Sequence, residues 1–271
     1  MRNFLICMLK PQRNFLPNPW LFLFLLTLGL TTGWNRAAAN SPQSAPPQLK
    51  TLLSQIDTAA TQGNVKMVIQ YYSPNFTQSD GLTVPSMEKA LTDLWQRYPK
   101  LKYLTELQSW KSEGNVLIAE TVTNITSTTA TNNNNLTLTA TIKSRQRISG
   151  DKIIKQDVLA ERTQLTSGMK PPTLEIKLPQ QVTVGQQYSF DAIVQEPLGT
   201  NLLLGTALEE PIQLDRYLNP TAVNLQLLQA GGIFKTGRAP SKPESRWLSA
   251  VVLTGQGMTM VTQRLQVVSG Q

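Results

Sequence analysis

Residues 136–148 read LTLTATIKSRQRI. Leu136, Leu138, Ala140, Ile142 and Ile148 fall on one side of an extended chain, and Thr137, Thr139, Thr141, Lys143, Arg145 and Arg147 on the other. A period of two with one apolar and one polar side is the pattern of a strand buried on one face and wet on the other, as in antiparallel sheets. Working outward, strand-like stretches occupy 101–111, 115–126, 135–148 and 152–165. Glu113-Gly114-Asn115 and Ser149-Gly150-Asp151 read as hairpin turns, and the polar tract TSTTATNNNN (126–135) as a solvated hairpin tip. The four stretches form a meander.

Helical periodicity precedes it. Leu49, Leu52, Leu53, Ile56 and Ala60 recur on one helix face up to Gly63. Asn64 caps a second helix with a buried stripe of Val65, Val68, Ile69 and Tyr72, ended by Pro74; Ser73 to Thr83 then reads as loop. Met87, Ala90, Leu91, Leu94 and Trp95 mark a third helix, closed by Pro99. Helices followed by an antiparallel meander give an α+β layout with the helices on one face of the sheet.

After the boundary Met169-Lys170-Pro171-Pro172 only strand signals follow, at 174–178, 182–184, 188–194, 202–208, 223–228, 247–253 and 258–268. Many short strands in about 100 residues predict an all-β sandwich. Pro179 and the Val184-Gly185-Gln186 turn are similar to those of an immunoglobulin-like module, although no Cys-Trp-Cys signature is present.

The 271 residues carry 25 basic, 17 acidic and no histidine side chains. Without imidazole, Ser-His-Asp and Cys-His nucleophilic machinery and every histidine-ligated metal site are excluded. No phosphate-binding loop, dinucleotide fingerprint or carboxylate-rich calcium loop occurs, so neither cofactor nor structural metal is expected. The amino terminus reads as a signal peptide: Arg2, Lys10 and Arg13, an apolar run from Trp20 to Leu30, then Ala37-Ala38-Ala39. The run is about half of the roughly 20 residues that a spanning helix needs, so cleavage after residue 39 is favoured over an anchor. Cleavage removes the sole cysteine, Cys7, and leaves a net charge of +4 with no basic block, which argues against nucleic-acid binding. The expected organisation is a signal peptide at 1–39, a Pro/Ser-rich linker at 40–48, a helices-plus-sheet domain at 49–168 and a sandwich at 171–271.

Gly63-Asn64-Val65 leading to Tyr71-Tyr72-Ser73-Pro74-Asn75-Phe76, the helix from Met87 to Tyr98, and Gly150-Asp151-Lys152-Ile153-Ile154 opening the last strand resemble the SnoaL-like branch of the nuclear transport factor 2-like superfamily over about residues 48–165. The resemblance implies a cone: a bent antiparallel sheet wraps the helices and leaves a pocket at the open end. Members include isomerases, dehydratases, cyclases and domains without catalysis, so the fold leaves function open. It also implies a homodimer through the exposed sheet face, here Thr137, Thr139 and Thr141.

Four residues are the pocket candidates. Glu120 alternates with Val116, Ile118 and Val122, a placement expected to aim its carboxylate at the interior, where desolvation makes a general base or a neutral donor. Asp157 is expected on the face of Ile153 and Leu159, as a partner to Glu120; the alternative for Glu120 is the wet face, paired with an arginine. Tyr72 and Trp95, on helix faces, either line the cavity for an apolar ligand or pack the core. In the second domain Lys235, Arg238, Lys242 and Arg246 surround the loop GRAPSKPESR (237–246), a candidate dock for an acidic partner or a membrane.

The expected function is an exported, non-catalytic binding or protein-interaction module, located in the periplasm, or in the thylakoid lumen in a cyanobacterial setting. The alternative is an isomerase, dehydratase or cyclase with Glu120 or Asp157 as base and Tyr72 as donor.

Overall fold

Proline at a first helical turn loses no hydrogen bond, and Pro47 opens α1 (Pro47–Thr61), which buries Leu49, Leu52, Leu53, Ala59 and Ala60. The computed structural model describes residues 39–127, 136–197, 202–219 and 221–270. The signal-peptide reading falls outside the described residues apart from position 39, as does the hairpin tip at 128–135. The 40–48 stretch, read from composition as a linker, is anchored: Asn40 bridges Trp110, Trp110 Nε1 donates to Ser41 O (3.2 Å), and Ala45 is buried with Leu49.

Asn64 accepts from Met67 N (3.1 Å) and starts α2 (Val65–Ile69). This helix is shorter than its apolar stripe predicts. Tyr72 instead opens a strand, β1 (Tyr72–Gln78), where a loop was expected. Strand β1 runs parallel to β5 (Lys152–Gly168), with Ile153 N donating to Tyr71 O (2.8 Å), and its ladder is interrupted between Tyr72 and Thr77, around Pro74. Proline cannot donate to a ladder, so the interruption falls where its ring sits. Helix α3 (Val84–Arg97) follows, with Thr83 N donating to Ser86 Oγ (2.8 Å) at its start.

The meander forms as expected: β2 (Leu101–Glu113), β3 (Val116–Ser127), β4 (Thr137–Ser149) and β5, antiparallel throughout. Gly114 and Gly150 take φ of 60° at two of the turns, a conformation with little steric cost only for glycine. In β4, Leu138 and Ile148 are buried while Thr137, Thr139, Thr141, Lys143 and Arg145 are exposed. Helices α1 to α3 lie on the buried face, over Leu101, Ala119, Ile125, Leu138, Ile148 and Ile153.

The carboxy-terminal residues supply β6 (Leu174–Lys177), β7 (Gln181–Thr183), β8 (Gln187–Val194), β9 (Leu204–Pro211), α4 (Leu214–Leu218), β10 (Gln226–Leu227), β11 (Gly232–Arg238), β12 (Glu244–Thr254) and β13 (Gly257–Val268). The meander's sheet continues into them in the order β10-β9-β12-β13-β5-β4-β3-β2, while β11-β8-β6 form a separate three-stranded sheet. The chain is therefore α+β and sheet-rich.

Cross-strand partners share a face. Thr139 pairs with Gln164 and Gln164 with Val261, so Val261 lies on the face that Thr139 displays, opposite the helices. Val261, Leu265, Leu248 and Ala250 pack there against Tyr188, Phe190, Ala192 and Ile233 of the small sheet. One long sheet is thus covered by helices on one face at one end and by a second sheet on the other face at the other end.

Candidate functional site

The four pocket candidates do not converge. Tyr72 packs against the buried cluster of Ala59, Ala60 and Val68 on the helix side, as do Leu91, Trp95 and Tyr103. Its ring meets Phe76 edge-on at 4.8 Å, and burial, then the charge of Asp57, raises its hydroxyl to about 12. Trp95 Nε1 donates to Tyr103 Oη (2.9 Å), with the rings edge to face at 6.2 Å. These aromatics fill the space between α1, α3 and β2.

Glu120 stands on the other side of the sheet. In β3 the helices cover Leu117, Ala119 and Ile125, so Ile118, Glu120 and Val122 face away from them. Both residues that precede and follow Glu120, Ala119 and Thr121, are fully buried. Glu120 Oε1 accepts from Arg145 Nη2 (2.7 Å) and Nε (3.1 Å), and its other oxygen lies 3.9 Å from Lys143 Nζ.

Asp157 joins it there, for a reason invisible in the alternation. The β4–β5 register shifts by one residue between Ile153 and Lys155 and again between Val158 and Ala160. The first bulge reverses the parity, so Asp157 pairs opposite Arg145 instead of sharing the face of Ile153. Asp157 binds Lys155 (3.3 Å). Glu120, Arg145 and Asp157 thus line up across three strands of the outer face, next to the Glu113–Lys111 and Glu113–Arg147 pairs. The hydrogen bond from Lys111 holds the Glu113 carboxyl below the usual range.

A carboxylate that the sequence reading passed over does lie on the aromatic side. Asp57 of α1 accepts from Thr105 N (2.6 Å) and Thr105 Oγ1 (2.6 Å). Its signal was spacing: it follows Leu53 by four residues and precedes Ala60 by three, which places it on the buried stripe.

The second bulge has a larger consequence. It turns Glu161 to the helix side, opposite Ile142, where Glu161 meets a buried cluster. Arg264 of β13 has a fully buried side chain and grips Asp80 bidentately, Nη1 to Oδ1 at 2.9 Å and Nη2 to Oδ2 at 2.7 Å. Nη2 also reaches Glu161 Oε2 (3.1 Å), which accepts from Trp247 Nε1 (3.0 Å). Tyr217 Oη donates to Asp80 Oδ2 (2.7 Å), and its ring meets Trp247 edge-on at 4.8 Å. Burial, then the charges of Glu161 and Asp80, push the Tyr217 hydroxyl far up. Burial alone would weaken the charged form of Arg264, but the Asp80 hydrogen bonds and both carboxylates outweigh it and raise its pKa. The cluster ties the β1–α3 segment, β5, α4, β12 and β13 together through both terminal nitrogens of Arg264, while its Nε, buried, has no hydrogen-bond partner among the described residues.

The basic residues near the 237–246 loop divide. Arg246 is neutralised by Glu209 (2.7 Å) and Glu244. Arg238 Nη1 donates to Gly185 O (3.0 Å), Lys235 Nζ to Ala207 O (3.4 Å), and Lys242 is exposed in the turn. Beside them a cleft of about 80 Å³ separates β9 from β11, floored by Tyr188, Phe190 and Leu248. A second, of similar volume, lies between Pro171 and Glu196. Such volumes hold waters, not a drug-sized ligand. Among the described residues no cluster of three acidic, cysteine or histidine side chains is placed to hold a metal, and no helix is long and apolar enough to cross a membrane.

A family described as a domain of unknown function (DUF8623) matches residues 169–268. No curated protein matches the sequence. Among solved structures, the chain is similar to a protein of unknown function from Mycobacterium tuberculosis (14% identity, 41% of this chain and 72% of that one, TM-score 0.34). It is also similar to an uncharacterized cystatin-fold protein from Novosphingobium aromaticivorans (14% identity, 42% and 98%, TM-score 0.32). A third similarity is to a nuclear transport factor 2-like protein of unknown function from Cytophaga hutchinsonii (14% identity, 42% and 91%, TM-score 0.27).

Proposed function

We propose that the chain is an exported, non-catalytic protein-interaction module, in which residues 49–168 form a SnoaL-like, nuclear transport factor 2-like layer and residues 171–271 an immunoglobulin-like sandwich. One observation carries the reading: the aromatic and acidic pocket candidates lie on opposite faces of the sheet. Tyr72 and Trp95 pack the helix side, and Glu120 and Asp157 are neutralised in the open by Arg145 and Lys155. The alternative with Glu120 or Asp157 as base and Tyr72 as donor needs those groups around one substrate. The second domain's assignment is supported by the shared core of the small sheet with β12 and β13. Export follows from the amino-terminal signal, and Asn40, the first residue after the expected cleavage, pairs with Trp110 and so holds the new terminus against β2. The exposed face of Thr137, Thr139 and Thr141 is the proposed homodimer contact.

Native mass spectra of the protein purified from its own host, compared with denatured spectra, test this. The expected result is a subunit beginning near residue 40, bare, doubled or bound to another protein. An excess mass of small-molecule size that is lost on denaturation would overturn the reading in favour of a pocket enzyme or carrier, and a subunit still beginning at Met1 would overturn cleavage.

A further inference from the structure

Strand β11 is an edge: among the described residues it pairs with β8 and no other strand. Its ladder is bracketed by Val194 N donating to Gly231 O (2.9 Å) and Ala239 N donating to Gln186 O (2.8 Å). In an antiparallel pair hydrogen-bonded positions alternate, so 231, 233, 235, 237 and 239 bond to β8. The backbone N–H and C=O groups of Phe234, Thr236 and Arg238 therefore point to the free edge. A cleft of about 80 Å³, lined by Lys235, Thr236 and Gly237 of β11 and by Ala207, Leu208 and Glu209 of β9, lies between the strand and the long sheet. Lys235 spans the gap to Ala207 O.

Two further properties mark this edge. Phe234 is 56% exposed, on a strand seven residues long without proline. Sheet edges ordinarily avoid such a combination, because it templates pairing with another chain. Secondly, Lys235, Arg238 and Lys242 have no carboxylate within ion-pair distance among the described residues. On the outer face of β2–β5, by contrast, Lys111, Lys143, Arg145, Arg147 and Lys155 each do. Unneutralised charge beside an unpaired backbone edge complements an extended segment of opposite sign.

We propose that the free edge of β11 takes an extended acidic segment of a partner protein as a fourth strand of the small sheet. Alternate residues of that segment exchange backbone hydrogen bonds with Phe234, Thr236 and Arg238. Cross-strand partners share a face, so an apolar side chain of the segment covers Phe234 and a carboxylate of its other face reaches Lys235, while Arg238 and Lys242 add positive charge at the end of the strand. The proposal rests on the interaction-module reading and gives it a partner chemistry.

The test uses the host-purified protein and a fluorescent decapeptide of alternating valine and glutamate, with a valine–lysine decapeptide as control. The acidic peptide should bind and slow hydrogen exchange at the amides of 234, 236 and 238. Thr236→Pro deletes an edge N–H without touching the β8 ladder, and should weaken binding at least about tenfold with the melting temperature retained. Lys235→Glu with Arg238→Glu and Lys242→Glu should reverse the preference between the two peptides. Binding indifferent to both variants, or no binding of the acidic peptide, overturns the proposal. So does capture by phosphatidylglycerol vesicles with none by the peptide, which means a membrane surface, or protection of the same amides by self-association, which means a second copy. If a native protein partner binds both variants unchanged, this edge is refuted while the interaction-module reading stands.

Discussion

Arg264→Leu removes the only cation of the buried cluster and leaves two carboxylates facing each other's surroundings. Three charge-assisted hydrogen bonds disappear, at 2.9, 2.7 and 3.1 Å, and Asp80, with 3% of its side chain exposed, cannot recover the loss from water. Breaking one partner out of a buried ion pair costs about 3–5 kcal/mol, more than the intact pair contributes, because the uncompensated charge remains. For a chain of this size that corresponds to a fall in melting temperature of about 10 °C. Urea denaturation at pH 7, followed by tryptophan emission and far-UV circular dichroism, measures the loss. Arg264→Met with Asp80→Asn and Glu161→Gln should recover much of the stability, since no buried charge remains. A loss below about 1 kcal/mol at pH 7 refutes the reasoning.

Other expectations are simpler. Tyr72 and Tyr103 are raised by burial to about 12, so the stability they contribute is complete below pH 10 and lost as pH climbs through 12. A 295 nm titration should show their ionisation coinciding with loss of near-UV dichroism; ionisation at pH 10 in a folded chain would contradict it. Glu120→Gln removes a partly exposed ion pair and should change stability by less than about 1 kcal/mol, measured by denaturation. Gly237→Ala would place a methyl group 2.5 Å from Tyr188 Cζ, so the ring must move, and a loss of roughly 1–3 kcal/mol is expected in the same assay.

Local pattern made much of this molecule legible. The alternation of β4 fixed its buried face, and the stripes of α1 and α3 located the helices over it. Asn64, Gly114 and Gly150 placed a cap and two turns. The reading stumbled wherever one residue of register decides a side chain's side. In β3 apolar groups occupy both faces, and Val116, Ile118 and Val122 looked like the core although the helices settle on Leu117, Ala119 and Ile125. In β5 two bulges reverse the parity twice, sending Asp157 outward and Glu161 inward, and bulges leave no reliable composition signal in a run such as KIIKQDVLAER. Tyr72 completed a helical stripe, yet pairing with β5 claimed it for a strand. The Arg264–Asp80 contact joins positions 184 residues apart, and no local periodicity could bring them together.

Strand β5 offers β4 one edge along nearly its whole length, but divides its other edge between β1, at 153–156, and β13, at 162–168. The family match begins at residue 169, one position after that strand ends. The matched segment is therefore a module whose outermost long strand, β13, is finished by a neighbour it does not encode. Excising 169–268 for study would bare β13 from Gly257 to Gln263, and excising 49–168 would bare the end of β5; either fragment invites aggregation along the cut. Wherever this module occurs in a chain without such a preceding domain, some other strand, from an insertion or a second subunit, must fill the place that β5 fills here.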